Sequence, residues 1–131
     1  MQALVRAYQA FTRYDAKGLR RVGLTIPQAD VIFTLGNTKG LSFKEIGEQT
    51  LITKGTLTGV VDRLAGKGLV KRTQQADDKR CMSVRLTVKG EQVFERVFPA
   101  HIAYLRSGFG QLGVSEMIQG TQFLKKLADV F

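Results

Sequence analysis

Between residues 53 and 80 the chain gathers the side chains best suited to gripping another molecule without covalent chemistry. Thr53, Lys54, Gly55, Thr56, Thr58, Gly59 and Arg63 fall within one short stretch, and Asp78, Lys79 and Arg80 follow. Lysine and arginine bind oxyanions, threonine offers a hydroxyl and a methyl to flat polar edges, and glycine lets two backbones approach closely. Catalysis finds no comparable set. The chain has one histidine, His101, and one cysteine, Cys81, and it contains no HExxH, no CxxC and no glycine loop ending in lysine. A lone imidazole without nucleophile and orienting partner does not make a general-base site. No catalytic residue, no metal site and no cofactor is expected. Cys81 has the neighbouring positive charge that activates thiols, yet a strand position beside a polar loop suits an incidental cysteine equally well.

These side chains need a scaffold, and the apolar periodicity supplies one. Leu57, Val60, Val61 and Leu64 lie at helical spacing along 53–66, which leaves Lys54, Thr56, Thr58, Gly59 and Arg63 on the other side, with Thr53 as cap and Gly66 and Gly68 as the stop. Upstream, Ser42 with Glu45 is a capping box, so 42–49 reads as a short helix, joined to the next by a tight connection at 50–52. Thr25 with Gln28 is another, opening a helix that carries Ile32, Phe33 and Leu35 and stops near Gly36. Residues 3–21 form an amphipathic helix with Leu4, Ala7, Tyr8, Phe11 and Tyr14 on one stripe. After Gly68 the period changes to two: 69–73 and 82–87 are strands, with Met82, Val84 and Leu86 facing one way, Ser83 and Arg85 the other, and a polar, basic tip between them. Helix resumes near Thr87, with a kink expected at Pro99, and a last helix starts near Ser115. A minor extra strand is placed near 39–41.

The fold class is therefore mainly α with a small β-hairpin wing, a winged helix-turn-helix with N- and C-terminal dimerisation helices. One domain spans 1–131, divided into dimerisation helices at 1–24 and 91–131 and a DNA-binding lobe at 25–90. At 131 residues, 44% apolar with only two prolines, the composition is globular, and a core this small gains from a partner subunit. The formal net charge is +9, and its excess lies in the middle of the chain, whereas from Glu91 onward acids and bases balance. Such a field attracts a polyanion. In double-stranded DNA the helix 53–66 fits the major groove, Lys54, Lys67, Lys71 and Arg72 suit phosphates, and Arg80 at the hairpin tip suits the negative potential of a narrow minor groove. No membrane partner is expected: no signal peptide or apolar span is visible, which points to the cytoplasm. Two other uses of such a lobe are a protein-interaction module and a nonspecific nucleoid-type binder. The basic wing argues against the first, and sequence preference among duplexes separates the second.

The runs LTIPQADVIFTL, LSFKEIGEQTLITKGTLTGVVDRLAGKGLVKR and DDKRCMSVRLTVKGEQVF resemble the MarR family of bacterial regulators over about residues 24–94. The resemblance rests on Leu24-Thr25 with Gln28, Thr56 to Thr58 leading into Asp62-Arg63-Leu64, Gly68-Leu69-Val70 with Arg72, Asp78 with Arg80, and Leu86-Thr87 with Gly90. It implies a homodimer whose terminal helices interlock and whose wings straddle a pseudo-palindromic operator, most often as a repressor. It implies that Arg80 is the wing arginine, oriented by Asp78, and that Asp62 pairs with it when DNA is absent. It further implies release by a small lipophilic or phenolic effector, for which Phe11, Tyr14, Phe33 and His101 are the candidate lining. An aromatic stripe at helical spacing is equally what a core or a subunit interface looks like.

Overall fold

A computed structural model describes residues 1–74 and 82–131. The order is α1 (Gln2–Arg20), α2 (Ile26–Leu35), β1 (Leu41–Ser42), α3 (Phe43–Thr50), α4 (Lys54–Gly66), β2 (Val70–Gln74), β3 (Met82–Leu86), α5 (Val88–Phe109) and α6 (Val114–Ala128). The three strands form one antiparallel sheet in the order β1-β3-β2. This is a winged helix-turn-helix, mainly helical as the sequence implies. The chain divides into two compact units, Met1–His101 and Ile102–Phe131, with α5 passing from one into the other.

Both capping boxes form. The Thr25 hydroxyl accepts from the Gln28 amide at 3.4 Å while the Gln28 side-chain oxygen accepts from the Thr25 amide at 3.2 Å, and Pro27 sits harmlessly in the first turn of α2. At α3 the Ser42 amide and hydroxyl both donate to Glu45 at 2.7 Å, which holds that carboxyl below its ordinary range. Leu51 ends α3 at φ 58 and is 89% exposed, a left-handed turn without glycine that sends the chain sharply into α4. Thr53 stands at the N-cap of α4, but its side chain makes no cap bond; its hydroxyl meets that of Thr56 at 3.1 Å.

Leu57, Val60, Val61 and Leu64 turn inward from α4 and pack with Val31, Ile32 and Leu35 of α2 and Ile46 of α3, all essentially inaccessible. The small sheet closes this core through Val70, Val84 and Leu86. β3 is a regular strand with Met82, Val84 and Leu86 on one face and Ser83 and Arg85 on the other, as expected, but burial does not follow the faces at its start, where Met82 is exposed and Ser83 buried. Ser83 lies between Ser42 of β1 and Thr73 of β2 in register, and its hydroxyl meets that of Thr73 at 2.8 Å, so a polar pair is satisfied on the central strand. The extra strand is β1, at 41–42 rather than 39–41.

The wing is fastened to α5 at one joint. The Thr87 amide donates to Leu69 O at 3.0 Å, its hydroxyl donates to Gly68 O at 2.6 Å, and that hydroxyl accepts from the Gly90 amide. A Cβ on Gly90 would stand 2.0 Å from Leu69 O, so only glycine allows this approach. α5 then runs on through Pro99 as one helix, since proline removes a single amide from a long ladder. In the second unit the Gly113 amide donates to Glu116 at 2.7 Å to open α6, none of whose residues is buried. Among the described residues no helix is long and apolar enough to cross a membrane.

Candidate nucleic-acid interface

α4 has two sides with opposite chemistry. Opposite the buried Leu57, Val60, Val61 and Leu64, the residues Thr53, Lys54, Gly55, Thr56, Thr58 and Arg63 are exposed, and Gly59 is half-buried. Thr56, Gly59 and Arg63 follow one another at helical spacing, so the middle of this face is low while its ends carry a hydroxyl and a guanidinium. The guanidinium of Arg63 lies back along the helix: a Cβ on Gly59 would meet its nitrogens at 3.8 and 3.9 Å. The Thr58 hydroxyl donates to Lys54 O at 3.3 Å and keeps its lone pairs. A helix bearing hydroxyls, small residues and cations on one exposed side matches the width and the polar edges of a DNA major groove.

Not every cation in this region is available. Lys67 donates to Gly23 O at 3.0 Å and to the Gln28 side chain at 3.4 Å, tying the end of α4 to the start of α2. Arg72 on β2 donates to Asp62 on α4 and lies 5.5 Å over the Phe43 ring of α3. Asp62, expected to hold the wing arginine, thus has Arg72 as its partner among the described residues. The tie it makes is between α4 and β2. Lys54 and Lys71 remain exposed. Asp78, Lys79, Arg80 and Cys81 lie outside the described residues.

The aromatic candidates separate. Phe33 on α2 meets His101 on α5 with ring centroids 5.7 Å apart and Phe98 at 5.1 Å. Phe11 is 40% exposed on α1, and Tyr14 is half-buried. A cavity of about 280 Å³ opens beside Phe33, lined also by Asp30, Thr34, Gln49 and Thr50. Sequence reasoning missed what lies next to it: Asp15, buried on α1, approaches His101 Nε2 at 2.8 Å, and Asp30 is half-buried nearby. Burial, and then the Asp15 carboxylate, push the Asp30 carboxyl above its ordinary range, while His101 pulls it down. The signal was present, because Asp15 stands four residues from Phe11 and four from Leu19, an acid inside an apolar stripe.

With this geometry in place, comparison with known proteins decides the family. The MarR family model matches residues 24–82. The HTH-type transcriptional repressor MdtR of Bacillus subtilis is 30% identical over 112 residues, which cover 86% of this chain and 72% of that protein. The chain belongs to the MarR family. It is a DNA-binding transcription regulator and not an enzyme. Two solved structures agree in fold with this MarR-family chain. BpsR of Bordetella bronchiseptica, whose DNA binding is regulated by 6-hydroxynicotinic acid, has a TM-score of 0.88 at 27% identity, covering 98% of this chain and 91% of that one. NadR in complex with 4-hydroxyphenylacetate has a TM-score of 0.78 at 25% identity, covering 98% and 93%.

Proposed function

We propose that this MarR-family regulator acts as a homodimer and a repressor, each copy reading one half of a pseudo-palindromic operator. The observation that carries the reading is the exposed face of α4, with Lys54, Gly55, Thr56, Thr58, Gly59 and Arg63 set directly opposite a buried apolar face. In this reading α4 enters the major groove, Thr53 and Lys54 hold phosphate at its N-terminus, and Asp78, Lys79 and Arg80 reach the adjacent minor groove. Pairing of two copies is supported by apolar groups that a single chain leaves uncovered: Leu4, Val5 and Tyr8 on α1, and Ile118, Phe123 and Leu124 on α6, are all at least 45% exposed. The terminal helices 1–24 and 91–131 are therefore assigned to dimerisation and 25–90 to DNA binding.

A small phenolic or lipophilic effector releases the operator. Its support is Phe33, which lines a cavity on α2 and α3 and meets the His101 ring on α5, and the ring-bearing acids that BpsR and NadR respond to or hold. Phe11 and Tyr14 remain candidates for the same lining. The cytoplasm is the compartment in which such a regulator meets its operator.

Selection from a randomised duplex library tests the reading. The selected site should be an inverted repeat with half-site centres about one helical turn apart. On that site Arg80→Ala should cost about 1–3 kcal/mol and relax the preference for A·T pairs under the wing. Recovery of no common sequence would reduce the protein to a nonspecific binder, and an unchanged affinity would remove Arg80 from the site.

A further inference from the structure

Lys71, whose type suits a DNA phosphate, belongs to a second basic surface, on the sheet face opposite the one that Arg72 turns toward α4. Strand geometry sends successive side chains to opposite faces. Val70 and Arg72 of β2 share one face, where Val70 is buried and Arg72 reaches Asp62 on α4. Lys71 and Arg85 take the other. They are direct partners in the β2–β3 register, so their Cα atoms stand about 4.5–5.5 Å apart and their charged chains leave the sheet side by side. Like charges placed directly opposite destabilise a strand pair. Lys39 joins them from the segment before β1, and the three border a cleft of about 440 Å³ that is also lined by Thr38, Leu86, Thr87, Val88 and Glu91.

No carboxylate among the described residues lies within ion-pair distance of Lys39, Lys71 or Arg85. Glu91 shares the cleft and offsets one charge of the three without pairing with any. α5 starts at the rim with Val88, and the positive end of its dipole adds to the field. Two hydroxyls in the wall are committed elsewhere: Thr38 donates to Leu35 O at 2.7 Å and accepts from the Gly40 amide, and Thr87 donates to Gly68 O and accepts from the Gly90 amide, so the side-chain donors left to the cleft are the three cations. Its volume is that of a small-molecule site, not of a groove for a duplex.

We propose that this cleft binds a small oxyanion, a molecule carrying phosphate or clustered carboxylate, between Lys39, Lys71 and Arg85. The anion relieves the repulsion between Lys71 and Arg85. Because the cleft is floored by both wing strands and walled by the first turn of α5, its ligand contacts the elements that set the wing's base while leaving the α4 face free. It is a site distinct from the Phe33 cavity, whose wall carries Asp30 and no cation.

Inorganic pyrophosphate is the probe. Titrated into the whole protein at low ionic strength, it should move the backbone amide resonances of Gly40, Lys71, Arg85 and Val88 along one saturable curve. The variant K71Q/R85Q should bind about tenfold or more weakly, the scale of losing charge-assisted hydrogen bonds, and should melt no lower than the wild type because a like-charge pair has gone. The variant K125Q/K126Q removes the same charge from two residues that do not line the cleft and should bind within about twofold of wild type, since every donor of the cleft is kept. Equal weakening in both variants, or shifts that never saturate, would overturn the site in favour of diffuse charge. Should K71Q/R85Q melt lower, R85Q alone replaces it, with at least about threefold weakening expected and an unchanged affinity overturning the proposal. A random-sequence duplex at equal phosphate concentration should move the α4 amides and leave those of the cleft nearly still. If the duplex moves both sets alike, the cations are contacts for the DNA backbone and the small-molecule site is refuted.

Discussion

Gly59→Ala separates what α4 needs as a helix from what it needs as a reading surface. Gly59 lies in the interior of Lys54–Gly66, where alanine is better than glycine by about 1 kcal/mol. The added methyl is not strained, because its nearest neighbours are the Arg63 guanidinium nitrogens at 3.8 and 3.9 Å, ordinary contact distances. The folded chain should therefore gain about 1 kcal/mol, or about 3–4 °C in Tm at this length. Binding should move the other way. The methyl rises from the low middle of the exposed face between Thr56 and Arg63, where the account places base edges. In the proposed homodimer a poor contact of about 1 kcal/mol at each half-site makes about 2 kcal/mol, close to thirtyfold in Kd. Differential scanning calorimetry gives the first number, and fluorescence anisotropy on the selected operator gives the second. A variant that is more stable and binds as tightly as wild type would show that this side of α4 does not approach DNA closely.

Other consequences follow from packing and burial. Gly90→Ala forces a methyl to within 2.0 Å of Leu69 O at the joint that carries the Thr87 amide bond, so it should cost about 3 kcal/mol and lower Tm by about 10 °C, while Gly120→Ala, with nothing within 4 Å, should raise it slightly; equal Tm values for the two would refute the joint. Asp30 ionises later in the folded chain than in the unfolded one, so the folded state binds more protons and loses stability as pH rises from about 4 through the raised pKa. Asp30→Asn should therefore raise Tm at neutral pH, with the gain shrinking to nothing below about pH 3.5; a gain independent of pH would contradict the burial argument.

What could be read in the sequence was what neighbours along the chain decide. Thr25 with Gln28 and Ser42 with Glu45 announced α2 and α3 because a capping box is closed within four residues. The buried side of α4 followed from the spacing of Leu57, Val60, Val61 and Leu64, and so did the side left to solvent. Partnerships across the fold were not legible. Lys67 and Arg72 looked like free cations beside a reading helix, but each is claimed by groups that only folding brings near, the Gly23 carbonyl and the Asp62 carboxylate. The burial of Ser83 was not legible either, because it is β1, only two residues long, that places Ser42 beside Ser83 on the central strand. Asp15 illustrates the opposite case: its place in the apolar stripe of α1 was a visible anomaly whose explanation, His101, lies on α5.

The most direct test of the central claim is the composition and salt dependence of the complex with the selected duplex, measured by sedimentation velocity and anisotropy on the same samples. Two chains per duplex are expected, with an affinity that falls by about a thousandfold or more between about 50 and 200 mM salt, as six or more phosphate contacts require. One chain per duplex, or an affinity that hardly changes over that range, would contradict it.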